Sequence, residues 1–279
     1  MKSNELRRAF VQLPGWLLLL IWSAIVLVPI YLLVVSCFKD TAEIYANPFG
    51  FPAAWDLKNF STAWTQVNFG RFLVNSLLVT GGAVLATIVA AAMAAYPLSR
   101  YELAWASPML TFFLAGLMLP IRLASVELFT LMRDLNLLDS RLGLIAVYTA
   151  LRIPFAILIF VNFMRVVPKE LEEAARIDGA GEWRILLSII LPMVRPAIAI
   201  VAIFTAIAVW NDFFFPLIFI FDEDYKTVPF AAINSIGQYR TDWGVVFASL
   251  AMSIVPVLIM YVLLARQIRE GVGVGGKLK

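Results

Sequence analysis

Long apolar runs separated by short polar stretches dominate the chain, with apolar tracts at about 13–38, 72–96, 107–132, 142–164, 194–221 and 244–265. Each is long enough to cross about 30 Å of hydrocarbon as a helix, which takes about 20 residues. A helix is the expected state because lipid offers no partner for an unpaired backbone group. The pattern therefore predicts an all-α integral membrane protein of six transmembrane helices, forming a single domain over 1–279. Proline punctuates the runs. Pro97 is expected to close the second span, Pro108 to open the third, Pro168 to start a loop helix, and Pro120 and Pro154 to kink the third and fourth spans.

A polar interruption, 168–192, divides the fourth span from the fifth. Its first part, PKELEEAARI, is rich in good helix formers with acidic residues at the start. Asp178-Gly179 marks a turn, and Glu182 to Ile190 reads as a second short helix that Leu191-Pro192 should stop. A compact helix–turn–helix is expected, with small Ala174 and Ala175 permitting close approach of a partner.

Composition agrees with the pattern. The chain is 62% hydrophobic and 15% charged, with a mean hydropathy of +0.87. It has no His and one Cys, Cys37, so His-based catalysis, metal ligation by His and internal disulfides are excluded. A net charge of +3 gives no case for nucleic-acid binding. Lys2, Arg7 and Arg8 ahead of the first run suggest a signal peptide, and Val34-Val35-Ser36-Cys37 resembles a lipoprotein cleavage box. The run far exceeds the roughly 7–15 residues of a signal core, so it is read as a retained first span.

Of the 22 Lys and Arg, thirteen fall on one set of connections and seven on the other, with Arg122 and Arg152 inside spans. The richer side should be cytoplasmic, which predicts N-in, C-in and puts 168–192 in the cytoplasm. The outer segment 39–71 is too aromatic for a linker and reads as an interfacial belt or a docking surface.

Residues 173–192 match a specific pattern. Glu173-Ala174-Ala175, Gly179, Ile189 and Leu191-Pro192 fall at the fixed positions of the coupling loop of permease subunits of bacterial binding-protein-dependent ABC importers, which the chain resembles. Pro154-Phe155, Trp210-Asn211-Asp212, Thr227-Val228-Pro229, Asp242-Trp243-Gly244, Pro256-Val257 and the tail 271–279 are similar to the maltose-type, carbohydrate-uptake branch. Within that branch the likeness is to the shorter subunit of a heterodimeric pair. The resemblance implies an inner-membrane carbohydrate permease with no catalytic or metal site. It would form half the pathway for a sugar, polyol or sugar derivative. Implied partners are a second permease, two copies of a cytoplasmic ATPase and a periplasmic or lipid-anchored solute-binding protein. ATP and Mg would bind the ATPase, in keeping with the absence of a Gly-x-x-x-x-Gly-Lys-Ser/Thr phosphate loop here. Glu173, Ala174, Ala175, Arg176, Asp178 and Gly179 would contact it, and the glycine-rich tail, flexible by composition, would reach toward it.

Polar residues within spans are costly and are expected to face protein or water. Arg122, Glu127, Arg152, Trp210, Asn211 and Asp212 are the candidates for lining the pathway. The competing reading is structural, for instance a Glu127–Arg152 ion pair between helices. An ion-coupled secondary transporter or channel is the alternative function, and it requires a repeat of the spans that neither half of the chain supplies.

Overall fold

The computed structural model describes residues 2–234, 236 and 241–276, with side chains described for 15–233, 236 and 241–263. In chain order the helices are α1 (Lys2–Ser36), α2 (Thr41–Ala46), α3 (Lys58–Thr65), α4 (Phe69–Arg100), α5 (Ala106–Met118) and α6 (Ser125–Asp134). There follow α7 (Arg141–Val166), α8 (Glu170–Ile177), α9 (Glu182–Met193), α10 (Arg195–Trp210), α11 (Phe214–Phe219), α12 (Pro229–Asn234) and α13 (Trp243–Gly276). Four apolar segments are long enough to span: Gly15–Ser36, Phe69–Arg100, Arg141–Val166 and Trp243–Leu263. Two bent pairs raise the number to as many as six, α5 with Ile121–Asp134 at 80° and α9 with α10 at 78°.

The third and fifth tracts are thus not the unbroken spans expected from hydropathy. Pro120 has no N–H to donate and disfavours helical geometry at the residue before it. Leu119 is accordingly extended, with ψ 127°, and the chain turns through the 3₁₀ segment Ile121–Ala124 into α6. In the fifth tract, α10 ends after 16 residues and the chain restarts at Phe214. Pro97 and Pro154 lie inside α4 and α7, which run on to Arg100 and Val166, so neither proline ends its helix. Pro192 does not stop the loop's second helix either. Leu186–Ile190 adopts π geometry, with the Leu191 N–H bonded to the Leu186 carbonyl, and the bend comes at Val194. A widened turn is one way a helix accommodates a residue lacking an N–H. Helix α13 continues through Gly276, where a flexible tail was expected; residues 277–279 lie outside those described, as do the side chains of the tail.

By contacts the chain forms two compact units. The first comprises 1–69 and 231–254. Its 39–71 segment is folded around Lys39, which is fully buried and donates from Nζ to the carbonyls of Asn47 (2.8 Å), Pro48 (3.3 Å) and Gly50 (2.5 Å). Asn59 Nδ2 ties the same stretch together by donating to the carbonyls of Cys37 and Lys39 at 2.9 and 2.8 Å. The Trp243 N–H donates to Thr41 Oγ1 at 3.0 Å. Gly244 has to be glycine: a Cβ there would lie 2.3 Å from the Lys39 carbonyl oxygen. Cys37 is buried.

The second unit comprises 70–230 and 255–279. One core cluster joins α4, α7, α9 and α10 through Tyr96, Phe160, Met164, Ile185, Ile190 and Val201. Buried Ala91, Ala92 and Ala95 let neighbouring helices approach α4 closely. A second cluster gathers Val79, Leu144, Tyr148, Val209, Phe215 and Phe219 around α7 and α11. Ser140 caps α7 by accepting from the Gly143 N–H at 2.9 Å. Asp139 Oδ1 accepts from the N–H groups of Phe221 and Asp222, stitching the approach to α7 to the chain after α11.

Candidate functional site

The polar interruption folds as its sequence predicts at the start. Helix α8 carries Glu170, Glu172 and Glu173 in its first turn, where the exposed N–H groups favour negative charge. It ends at Asp178, and Gly179 takes φ +80°, the left-handed region that an L side chain adopts only with strain. The Ala180 N–H returns to the Ala175 carbonyl at 2.9 Å, closing the turn. Glu173, Ala174, Arg176, Asp178 and Gly179 are exposed, as is Ile177 at 87%. Ala175 instead packs against the core cluster. Five of the six residues singled out from sequence are thus accessible, and Ala175 belongs to the core beneath them.

The support contains charges that sequence reading missed. Glu172 on α8 and Arg100 at the end of α4 are both almost fully buried, with Nε 2.6 Å from Oε1. Arg100 Nη1 also donates to the Val167 carbonyl at 2.9 Å. The Tyr96 hydroxyl lies 3.1 Å from Glu172 Oε2 and 2.8 Å from Glu182 Oε2; with one proton it donates to one of them at a time. Arg176 Nε donates to Glu182 Oε1 at 2.9 Å, and its Nη2 is 3.6 Å from Glu172 Oε2. That hydrogen bond from Arg176 holds the Glu182 carboxyl down at about 2 and raises the Arg176 guanidinium above its ordinary range. Two arginines and two glutamates balance. Breaking a buried pair by removing one partner costs about 3–5 kcal/mol, so α8 is tied firmly to α4. The available signal was weak: a Glu four residues before Arg176, and an Arg closing the second span.

The intramembrane candidates divide. Arg122, Arg152 and Asp212 line one cavity of about 500 Å³, with Gly116, Leu117, Ala150 and Phe215 among its walls. Asp212 Oδ2 accepts from the Tyr148 hydroxyl at 2.9 Å and from the Phe215 N–H at 3.0 Å, holding the chain at the break before α11. Asp212 Oδ1 lies 3.5 Å from Arg122 Nη2, and the Arg122 guanidinium sits 5.1 Å over the Phe214 ring. Arg152 is one helical turn from Tyr148 on α7, so the two share a face. Its Nε is buried without a hydrogen-bond partner.

The expected Glu127–Arg152 pair does not form: Glu127 is exposed at the start of α6, on the far side of the Pro120 break, and no described ion pair includes it. Asn211 is exposed and turns its amide back to the Ile207 carbonyl at 2.8 Å, finishing α10. Trp210 is buried and lines a different, apolar cavity of about 590 Å³ with Leu77, Val84, Pro256, Val257 and Met260. No group of three or more potential metal ligands occurs among the described residues.

Residues 83–270 match the family described as "Binding-protein-dependent transport system inner membrane component". The diacetylchitobiose uptake system permease protein NgcG of Streptomyces coelicolor is 39% identical over 260 residues, covering 92% of this chain and 86% of that protein. The melibiose/raffinose/stachyose import permease protein MelC of Bacillus subtilis is 28% identical over 249 residues, covering 89% and 90%. A crystal structure of a bacterial ABC transporter that imports the acidic polysaccharide alginate superposes with a TM-score of 0.83 at 22% identity, over 95% of this chain and 98% of that one. That likeness supports the fold. These matches favour the ABC permease over the ion-coupled alternative. This chain belongs to the family of binding-protein-dependent transport system inner membrane components, and is a non-catalytic, multi-pass permease subunit of the bacterial inner membrane.

Proposed function

We propose that the chain is one transmembrane domain over 1–279 and forms half the translocation pathway of an ATP-driven importer for a sugar, polyol or sugar derivative. The bent pair α5 with Ile121–Asp134 then supplies the third of six crossings and the tract 194–221, α10 followed by α11, the fifth, with 168–192 and both termini cytoplasmic. A second permease completes the pathway, two ATPase copies carry ATP and Mg, and a solute-binding protein delivers from outside. The sugar class rests on relatives named for uptake of diacetylchitobiose, melibiose and sulfoquinovosyl glycerol.

The observation that carries the coupling assignment is the face of α8: Glu173, Ala174, Ile177, Asp178 and Gly179 exposed together, on a helix whose reverse side is pinned to α4 by the buried Arg100–Glu172 pair. A rigid helix with a free face transmits displacement, whereas a loosely held one would absorb it. ATPase closure would push this face, and α4 would carry the motion toward the Arg122–Arg152–Asp212 cavity, the proposed stretch of pathway.

The test is a pull-down of the tagged chain from solubilised native membranes, comparing wild type with Gly179→Pro. Proline fixes φ near −65° and so cannot adopt +80°. Loss of the ATPase with retention of the second permease is expected. Retention of the ATPase at wild-type level would refute the coupling role of this turn.

A further inference from the structure

The charges around the 500 Å³ cavity do not cancel: two guanidiniums, Arg122 and Arg152, share one carboxylate, Asp212. The carboxylate is already engaged by Tyr148, the Phe215 N–H and Arg122. Arg152 makes no hydrogen bond or close ion pair with any described residue, and its Nε is out of reach of solvent. Only Nε is sealed in this way, so the part of the guanidinium that lines the cavity is what a solute can meet. The volume falls within the roughly 300–1,000 Å³ of small-molecule sites, and apolar Leu117, Leu119 and Val147 sit beside the charges. A guanidinium is a planar fork of donors that suits a planar oxygen acceptor better than it suits a tetrahedral hydroxyl.

We propose that this cavity is a solute subsite in which Arg152 selects sugars bearing a planar oxygen-acceptor substituent, either a carboxylate or an acylamino carbonyl. The proposal rests on the pathway reading above and deepens it. Arg122 and Asp212 act as a mutual screen: Asp212 keeps Arg122 turned toward the Phe214 ring, leaving Arg152 as the open donor. A plain hydroxylated sugar fits the cavity but leaves the fork half used.

The experiment measures equilibrium binding to the whole importer, permease pair and ATPase dimer, in lipid nanodiscs without the solute-binding protein. The probes are labelled N,N′-diacetylchitobiose, digalacturonate and cellobiose. Wild type should bind one of the first two at least about tenfold more tightly than cellobiose, as expected when a polar site is matched rather than left unpaired. Which one it prefers distinguishes acylamino from carboxylate. Arg152→Met should bring that preference to within about twofold of cellobiose, and Arg152→Lys, which keeps charge without the fork, should fall between. Should the Met variant fail to assemble, Lys provides the comparison. No preference in wild type, or a preference that survives both substitutions, overturns the proposal.

Leu117→Cys separates this from failure of the pathway reading. A thiol-directed methanethiosulfonate reagent should block uptake through that residue, since the natural Cys37 is buried. Block without probe preference keeps the pathway and rejects the subsite; neither block nor preference rejects both.

Discussion

Two polar clusters of the same unit handle charge in opposite ways. At the end of α4, Arg100, Arg176, Glu172 and Glu182 pair off around Tyr96. Beside α11, Arg122, Arg152 and Asp212 leave one guanidinium over. In the first arrangement the charges balance and each carboxylate has a neighbouring arginine, although Arg100 Nη2 is as sealed and unpartnered as Arg152 Nε; that balance is suited to transmitting force. The second carries an excess of one guanidinium and lines a cavity, which is what recognition of a passing molecule requires. Burial of charge therefore does not by itself mark a binding site; an imbalance in the pairing is the more discriminating sign.

The sharpest way to break the comparison is Glu172→Ala. It strands Arg100 at a site where its side chain is 3% exposed, and a cost of about 3–5 kcal/mol is expected. The apparent Tm of the detergent-solubilised chain should drop by several degrees. The double variant Arg100→Met, Glu172→Leu should recover most of that stability, since an apolar pair of similar volume can replace a buried ion pair. If uptake per ATP stays low in the stable double variant, the pair positions α8 and does more than hold the fold.

Asp212→Asn is the corresponding change in the cavity. The amide oxygen can still accept from Tyr148 and the Phe215 N–H, so a stability cost of about 1 kcal/mol is expected. Charge is what it removes, leaving Arg122 and Arg152 uncompensated. Binding of digalacturonate should rise relative to cellobiose, and equal change for both probes would argue that Asp212 serves geometry alone.

The smallest effect belongs to the exposed half of the first cluster. Arg176 and Glu182 are 38% and 48% exposed, so Arg176→Ala should cost no more than about 1 kcal/mol, and less at high salt. The sign of its pH dependence follows from Glu182, whose folded value is lowered to about 2. Stability from that shift is present in full above the ordinary glutamate range near 4.3 and is lost only as pH falls toward 2. Unfolding midpoints of wild type and Arg176→Ala should therefore run parallel between pH 6 and 8. A divergence there would assign the titration to another group, and the chain has no His to provide it.

Hydropathy was enough to locate every membrane-length segment, because helix formation in lipid follows from local composition. The motif loop was legible for a related reason: Gly179 and the acidic first turn of α8 are local chemistry. The breaks at Pro120 and Asn211 were not legible as breaks, since an apolar tract looks the same whether its helix is straight or bent by 80°. Prolines misled in both directions: Pro97 and Pro192, expected to close helices, sit within them, while Pro120, expected to kink one, ends it. Arg100 and Glu172 lie 72 positions apart and leave no periodic trace, so their pairing emerges only from tertiary packing. Arg152 was visible as a costly charge, but the proposed partner Glu127 was wrong because the turn at Pro120 carries Arg122 toward Asp212.

The cage around Lys39 has a consequence for chemical labelling. An amine-directed acylating reagent needs a free, deprotonated amine with room around it. The Lys39 ammonium is closed in by three carbonyls and fully buried, while Lys58, the other lysine of the 39–71 stretch, is exposed. The same segment thus carries a reactive lysine and a shielded one, so the ratio of their labelling in the solubilised chain reports whether the 39–71 segment is folded, independently of how much reagent reaches it.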